Sequence, residues 1–354
     1  MRSEAEQKCA AVLEAVARSG SGAVVAATPA TVRWLLCGRG RPVSASAPES
    51  TYTVVVSPEG RWVLFPDNET SRVEQEERFE ELGYQSVPYP WFEGAERALD
   101  ELPIRAPTND AAAEDALAPL RRTLLEPERD RFRAAGADLA AAMSETVKRL
   151  RPDDTEHEAA AELAFRARAR GFFPPVVLVA GDERQKVHRH PLPSAAKLGS
   201  HALLAMTAER DGLHVSLTRL LSFGSPPESL QRLHRACAEV DAAMLIASRP
   251  GTAVGEIFGI AVRAYEERGF PDEWRLHHQG GITGYQGREV FAVPDDSTPL
   301  PDSCAVAWNP SITGGAKSED TALVSSDGIE VLTRTPELPE LDVDGLPRPG
   351  IAEL

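Results

Sequence analysis

A chain of 354 residues is longer than one hydrophobic core usually serves, so two domains are expected. With 42% apolar and 26% charged residues the composition is globular, and a net charge of −16 excludes a protein that grips phosphate backbones through a basic face. No apolar run reaches the roughly 20 residues of a membrane span, and Met1–Lys8 lacks the apolar centre of a signal peptide, so neither membrane nor nucleic-acid partners are expected and the chain is expected in the cytoplasm.

In chain order, residues 4–19 predict an amphipathic helix and residues 23–27 a buried strand. Residues 51–57 and 61–65 predict a hairpin turned at Pro58-Glu59-Gly60, followed by an acidic helix over 70–82. Strand and helix signals mix up to about residue 105, an α/β pattern, and residues 111–125 predict a helix. A domain boundary is expected near 126, where Glu126-Pro127-Glu128 opens a long helix to about 150. Cys9, Cys37, Cys237 and Cys304 stand far apart without a CxxC pair, which fits reduced, buried thiols and no zinc–cysteine site.

The second half repeats itself. Arg151-Pro152, Glu158 and Arg170-Gly171-Phe172 recur as Arg249-Pro250, Glu256 and Arg268-Gly269-Phe270, each 98 residues on (249−151, 256−158, 268−170). Two copies of a helix–turn–helix–strand unit can share one core around a pseudo-twofold and leave a cleft between them. Strands are expected at 176–180, 201–206, 213–223, 305–309 and 321–325. From Thr335 the chain is rich in Pro, Asp and Glu, and 336–354 is expected to be a solvated tail.

The richest stretch is Trp274 to Glu289, where His277 and His278 stand beside Gly280, Gly281 and Gly284, followed by Arg288 and Glu289. Glycine lets a backbone or ligand come close, and imidazole carries a proton or a metal near neutral pH. A glycine-rich hairpin with a surface His pair is the plain alternative. His188, His190, His214, His277 and His278 could also gather round one Zn²⁺, although Pro191 and Pro193 put the His-x-His pair in a loop.

Val179-Ala180-Gly181-Asp182-Glu183-Arg184, His190 with Ser194, Leu217-Thr218-Arg219, His277-x-x-Gly280, Asn309-Pro310 and Glu319-Asp320-Thr321 follow one another in an order that resembles the creatinase, prolidase and aminopeptidase P superfamily. The resemblance implies a smaller N-terminal α/β domain over 1–125 and an α+β pita-bread domain with an internal pseudo-twofold over 126–335. It also implies a homodimer. The family's metallopeptidases hold two divalent ions with five side chains. Carried over, those positions fall on Ala205, Ser216, His277, Asn309 and Glu319, so three carboxylates are gone. One imidazole and one carboxylate do not repay the dehydration of two hard cations, so no metal and no other cofactor is expected.

Gln286-Gly287-Arg288-Glu289 resembles a motif of creatinase, a metal-free member, although Gly284 stands where a second His is expected. The resemblance implies proton transfer by His190, with His277 orienting the substrate and Glu319 as the third catalytic group. Arg288, Asn309, Ser216, His278 and Tyr285 are the expected substrate contacts; Arg288 could instead pair with Glu289, and Glu319 with Lys317 or Arg219. The implied activity is metal-independent hydrolysis of an amide or amidine C–N bond in a small molecule. A lyase, isomerase or cyclase reaction, an inert scaffold and a residual metallo-aminopeptidase stay open as alternatives.

Overall fold

The computed structural model describes residues 1–44 and 47–354, which form two compact units. The first comprises Met1–Glu128 with Asp211–Leu213, and the second the remainder.

The first unit is a mixed five-stranded sheet with helices. Its elements are α1 (Arg2–Ala17), β1 (Ala23–Ala26), α2 (Pro29–Leu35), β2 (Thr53–Ser57), β3 (Gly60–Pro66), α3 (Thr70–Arg72), β4 (Gln85–Tyr89), α4 (Glu96–Asp100), β5 (Pro107–Asn109) and α5 (Glu114–Arg122). The strand order is β4-β3-β2-β1-β5, and β2–β3 is the expected hairpin. Lys8 is buried on α1 with its ammonium 2.8 Å from both Glu4 and Glu128, a paired interior charge. The acidic helix predicted over 70–82 stops after α3. A π turn over Val73–Glu77 leads to Arg78 in a left-handed conformation (φ +44°) and a 3₁₀ turn over Phe79–Leu82. This break buries Val73, Phe79 and Leu82 together, and Arg39 takes the carbonyls of Glu77 and Arg78 that a continuous helix would have used.

The second unit starts on α6 (Glu126–Val147), all but whose first residues belong to it. Then come α7 (Glu156–Ala169), β6 (Phe173–Gly181), α8 (Asp182–Val187), β7 (His201–Arg210), β8 (Leu213–Ser222), α9 (Glu228–Ala247) and α10 (Val254–Glu267). The remaining strands are β9 (Gly280–Thr283), β10 (Val290–Phe291), β11 (Ser303–Trp308), β12 (Ser311–Ile312), β13 (Ala316–Lys317), β14 (Glu319–Ser325), β15 (Gly328–Val331), β16 (Glu340–Val343), β17 (Leu346–Pro349) and β18 (Ile351–Glu353). The 98-residue repeat falls on corresponding parts. Glu158 closes a capping box with Thr155 at the start of α7, while Glu256 lies in the first turn of α10. Gly171 (φ +82°) and Gly269 (φ +84°) end the two helices in the left-handed conformation that stops a helix.

Nine strands form the main sheet, in the order β10-β9-β11-β14-β8-β7-β6, with β15 on β14 and β18 on β8. One face is packed by α9 and α10 through Val240, Met244, Ile257 and Tyr265 against Ile282, Val306 and Trp308. The four cysteines are buried, as expected. Among the described residues no helix is long and apolar enough to cross a membrane.

The segment from 336 is not a solvated arm. β16 and β17 form a hairpin, and β18 runs parallel to β8. Arg348 explains the difference. It is fully buried, bonds Asp241 through Nε (3.1 Å) and Nη2, and reaches Asp320 at 2.9 Å. Composition reports the tail's charges but not their distant partners.

Candidate active site

A cavity of about 550 Å³ opens on the second unit. It is lined by side chains of β6, β7, β13 and β14 and of the loops around β8 to β11, with Val176, Leu178 and Phe291 on its apolar wall. Strand alternation explains the polar floor. Lys317 and Glu319 face the cavity, while Ser318 and Asp320 between and after them turn to the opposite side, where they bond Asp241 and Arg348.

Three imidazoles gather here. His190 comes from the loop after α8, and His277 and His278 from the turn before β9. Gly280 allows that turn: at φ +90° it lies so close to β11 that a Cβ would stand 2.1 Å from the Ala307 carbonyl oxygen. His277 Nε2 lies 3.0 Å from His190 Nε2 and 3.4 Å from Lys317 Nζ, and the His277 and His278 rings stack at 4.4 Å. An ammonium only donates, so His277 Nε2 is the acceptor and His190 Nε2–H donates to it as well. That tautomer puts the His277 proton on Nδ1, which is buried without a partner, and leaves Nδ1 as the basic atom of His190.

The electrostatics agree. Burial pushes His277 far below the ordinary imidazole range, with the Lys317 charge acting in the same direction. His278 is pushed down to about 3 by burial and then by Arg288 and Lys317. His190, exposed at the rim, is lowered by partial desolvation and then by the Lys317 charge, with Glu319 opposing the shift. Each shift favours the neutral ring. Lys317, which is buried, is itself pulled down by desolvation against the opposing pull of Glu319.

Glu319 pairs with Arg288, not with Lys317 or Arg219. Arg288 Nη2 donates to Glu319 Oε1 at 2.9 Å, and Thr218 Oγ1 donates to Oε2 at 2.8 Å. Both oxygens of Glu319 are thereby engaged. Arg219 pairs with Asp320 at 2.8 Å. Ser216 is fully buried behind the floor, bonded to Thr207 at 2.9 Å and within 3.5 Å of Arg288 Nη1. Asn309 lines the cavity, and its Oδ1 is buried without a donor.

Most of the expected site residues therefore meet: His190, His278, Arg288, Asn309 and Glu319 line the cavity, with His277 and Ser216 directly behind. Tyr285 is a correction. Its buried hydroxyl accepts from Arg131 at 3.4 Å and does not line the cavity, because the turn after β9 points it toward α6. His214 lines the wall, and His188 stays apart from the three rings. Lys317 is the cavity residue that sequence reasoning passed over as an ion-pair partner. Its signal was its place two residues before Glu319, on the same face of an extended segment.

A dinuclear metal centre does not fit this floor. Ala205 and Asn309 line it without a carboxylate, Ser216 offers a hydroxyl engaged elsewhere, and Glu319 is already held by a guanidinium. His190, His277 and His278 have ring nitrogens within 4.8 Å of one another, which is compact enough to suggest a single ion. The Lys317 ammonium at 3.4 Å from His277 Nε2 opposes it: like charges about 4 Å apart repel by roughly 4 kcal/mol per unit charge at an effective dielectric of 20.

A family model described as "Metallopeptidase family M24" matches residues 130–326. Among solved structures, the prolidase from Pyrococcus horikoshii OT3 superposes with a TM-score of 0.77 at 18% identity, over 93% of this chain and 98% of that one. The dipeptidase PepE from Mycobacterium ulcerans gives 0.74 at 19% identity, over 100% and 99%. Such identities show the fold, which is the expected pita-bread arrangement with its N-terminal α/β domain. The Xaa-Pro dipeptidase of Pyrococcus furiosus is 23% identical over 202 residues, 55% of this chain and 58% of that protein. The putative dipeptidase YkvY of Bacillus subtilis is 25% identical over 198 residues, 53% and 54% respectively. The matched region thus spans a little over half the length of these relatives.

Proposed function

The chain belongs to metallopeptidase family M24, and we propose that it is a metal-independent hydrolase of a C–N bond in a small polar molecule, with His190 moving the proton. One observation carries this reading: two cationic side chains, Lys317 and Arg288, occupy a floor where Ala205, Ser216 and Asn309 supply no carboxylate. The family's resemblance to creatinase supports it, and the names of the dipeptidase relatives support amide-type bonds as the target.

In this mechanism the neutral His190 takes a proton from water through Nδ1 and returns it to the leaving nitrogen. The water oxygen becomes bonded to the carbonyl carbon as the C–N bond breaks. Such general acid–base help is typically worth about 10²–10⁴ in rate. His277 holds the His190 ring by accepting from Nε2, and Glu319 holds Arg288. His278 stacks on His277 and closes the wall beside Phe291. The reading includes a homodimer, which light scattering checks.

The test is hydrolysis of a panel of dipeptides, amides, ureas and amidines by EDTA-treated protein, with and without added Mn²⁺ or Zn²⁺. We expect turnover that chelation leaves unchanged. Turnover that appears only with added metal establishes the metallo-dipeptidase reading instead.

A further inference from the structure

Two polar side chains on the cavity floor have bonding capacity left over. Lys317 is buried, its Nζ reaches His277 at 3.4 Å, and among the described residues no carboxylate lies within 4 Å of it. Asn309 is also buried, with an Oδ1 that receives no donor. The two are neighbours across one connection. Trp308 pairs with Asp320 on one side of it and Ser311 with Lys317 on the other, so Asn309 and Lys317 stand on its facing arms. Both line the cavity.

Buried polar groups are ordinarily bonded, so an unpaired amide oxygen and an ammonium with one long contact, both on residues that line the cavity, describe a missing ligand. Their chemistry is complementary. An ammonium donates and requires an oxygen; the Asn309 oxygen accepts and requires a hydrogen. A primary or secondary amide carries an oxygen and an N–H on adjacent atoms, and in a trans secondary amide the two leave opposite edges of the plane, so the group fits between an ammonium and an amide oxygen on facing arms. A tertiary amide, such as the bond preceding proline, has the oxygen and lacks the hydrogen. The apolar wall at Val176, Leu178 and Phe291 would take the substituent.

We propose that Lys317 receives the carbonyl oxygen and Asn309 the N–H of a substrate amide, so that this site selects N–H amides and disfavours tertiary amides, Xaa-Pro bonds among them. The inference rests on the C–N hydrolase reading for the identity of the bond. It makes Lys317 the group that stabilises negative charge developing on the carbonyl oxygen during attack. It also gives Asn309 the discrimination, because a buried acceptor left unpaired by the wrong ligand is costly.

N-acetylglycine and N-acetylsarcosine differ only by N–H against N–CH₃, and calorimetry or NMR titration measures their binding to the full chain directly. The wild type should bind N-acetylglycine about tenfold more tightly or better. N309L should bring the two probes to equal affinity, which separates a hydrogen bond from simple crowding by the methyl group. K317M should weaken both by about tenfold or more, and K317Q, which keeps an N–H donor without the charge, should fall between. Melting curves establish that each variant is folded. Equal binding of the probes by wild type, or a preference that survives N309L, or K317M and K317Q binding as wild type does, overturns the proposal. Selective binding without hydrolysis of any amide overturns the hydrolase reading and leaves this one; equal hydrolysis of secondary and tertiary amides does the reverse.

Discussion

Lys317 and Arg348 are both buried cations of the second unit, and they are treated in opposite ways. Arg348 is saturated. It bonds Asp241 and Asp320, while Asp320 also takes Arg219 at 2.8 Å and Thr333 at 2.6 Å, and Asp241 takes Ser318 at 2.5 Å. Lys317 has one long contact to a neutral ring. A buried charge costs several kcal/mol unless it is paired and bonded, so the first arrangement belongs to folding. The second is a cost that the fold tolerates at one place, where a ligand would complete the set. Such exceptions to local rules concentrate at working sites.

The comparison can be broken by substitution. The largest effect belongs to the cavity side: His190→Ala should lower the hydrolysis rate by about 10²–10⁴ while the melting temperature stays near that of wild type. A fall in both would place His190 in the fold rather than the chemistry. On the other side, Arg348→Met leaves Asp241 without its cation and Asp320 with Arg219 alone, and should cost about 3–5 kcal/mol in denaturant unfolding. A loss below about 1 kcal/mol would mean the network is ornamental. His234 sharpens the same contrast through pH. Its Nε2–H donates to the Pro349 carbonyl at 2.7 Å, and burial, helped by the Arg219 and Arg348 charges, pushes it down to about 4. Folding therefore excludes a proton that the unfolded chain binds below about 6.5, so this contribution is complete above that pH and drains away as pH falls toward 4. It amounts to about 3 kcal/mol in full, and His234→Gln should flatten the stability difference between pH 7 and pH 4.5 by about 2 kcal/mol. The last effect has no cost: Lys317→Met should leave stability unchanged or raise it, because it removes a buried charge whose one contact is a neutral ring. A cost equal to that of Arg348→Met would erase the distinction.

The second unit's plan could be read from the chain because its signals are local and recur. The Gly-Phe pairs after α7 and α10 mark helix ends wherever they occur, and the His277–Gly284 run announces a close approach of backbones before any partner is known. His190 and His277 could be paired in advance by resemblance, and they do touch. What stayed hidden was partnership at a distance. Arg348 reads as part of a Pro-rich acidic tail until Asp241, 107 residues earlier, is seen to hold it. Lys317 sits in a Gly-Gly-Ala-Lys-Ser run that suggests a surface turn, and only the strand register turns its ammonium inward. The helix over 70–82 had the right composition and failed at Arg78, where burial of Phe79 outweighed helical continuity. Tyr285 had a suggestive neighbourhood and no direction.

The alternation from Lys317 to Asp320 has one more consequence. If this segment slid by a single residue, Ser318 and Asp320 would face the opening, and Asp241 and Arg348 would lose the bonds these two side chains make to them. The mispaired chain would lose its chemistry and its stability in the same movement. A molecule that has folded along this segment has therefore also assembled its floor, and no stable but inactive slipped form should accumulate.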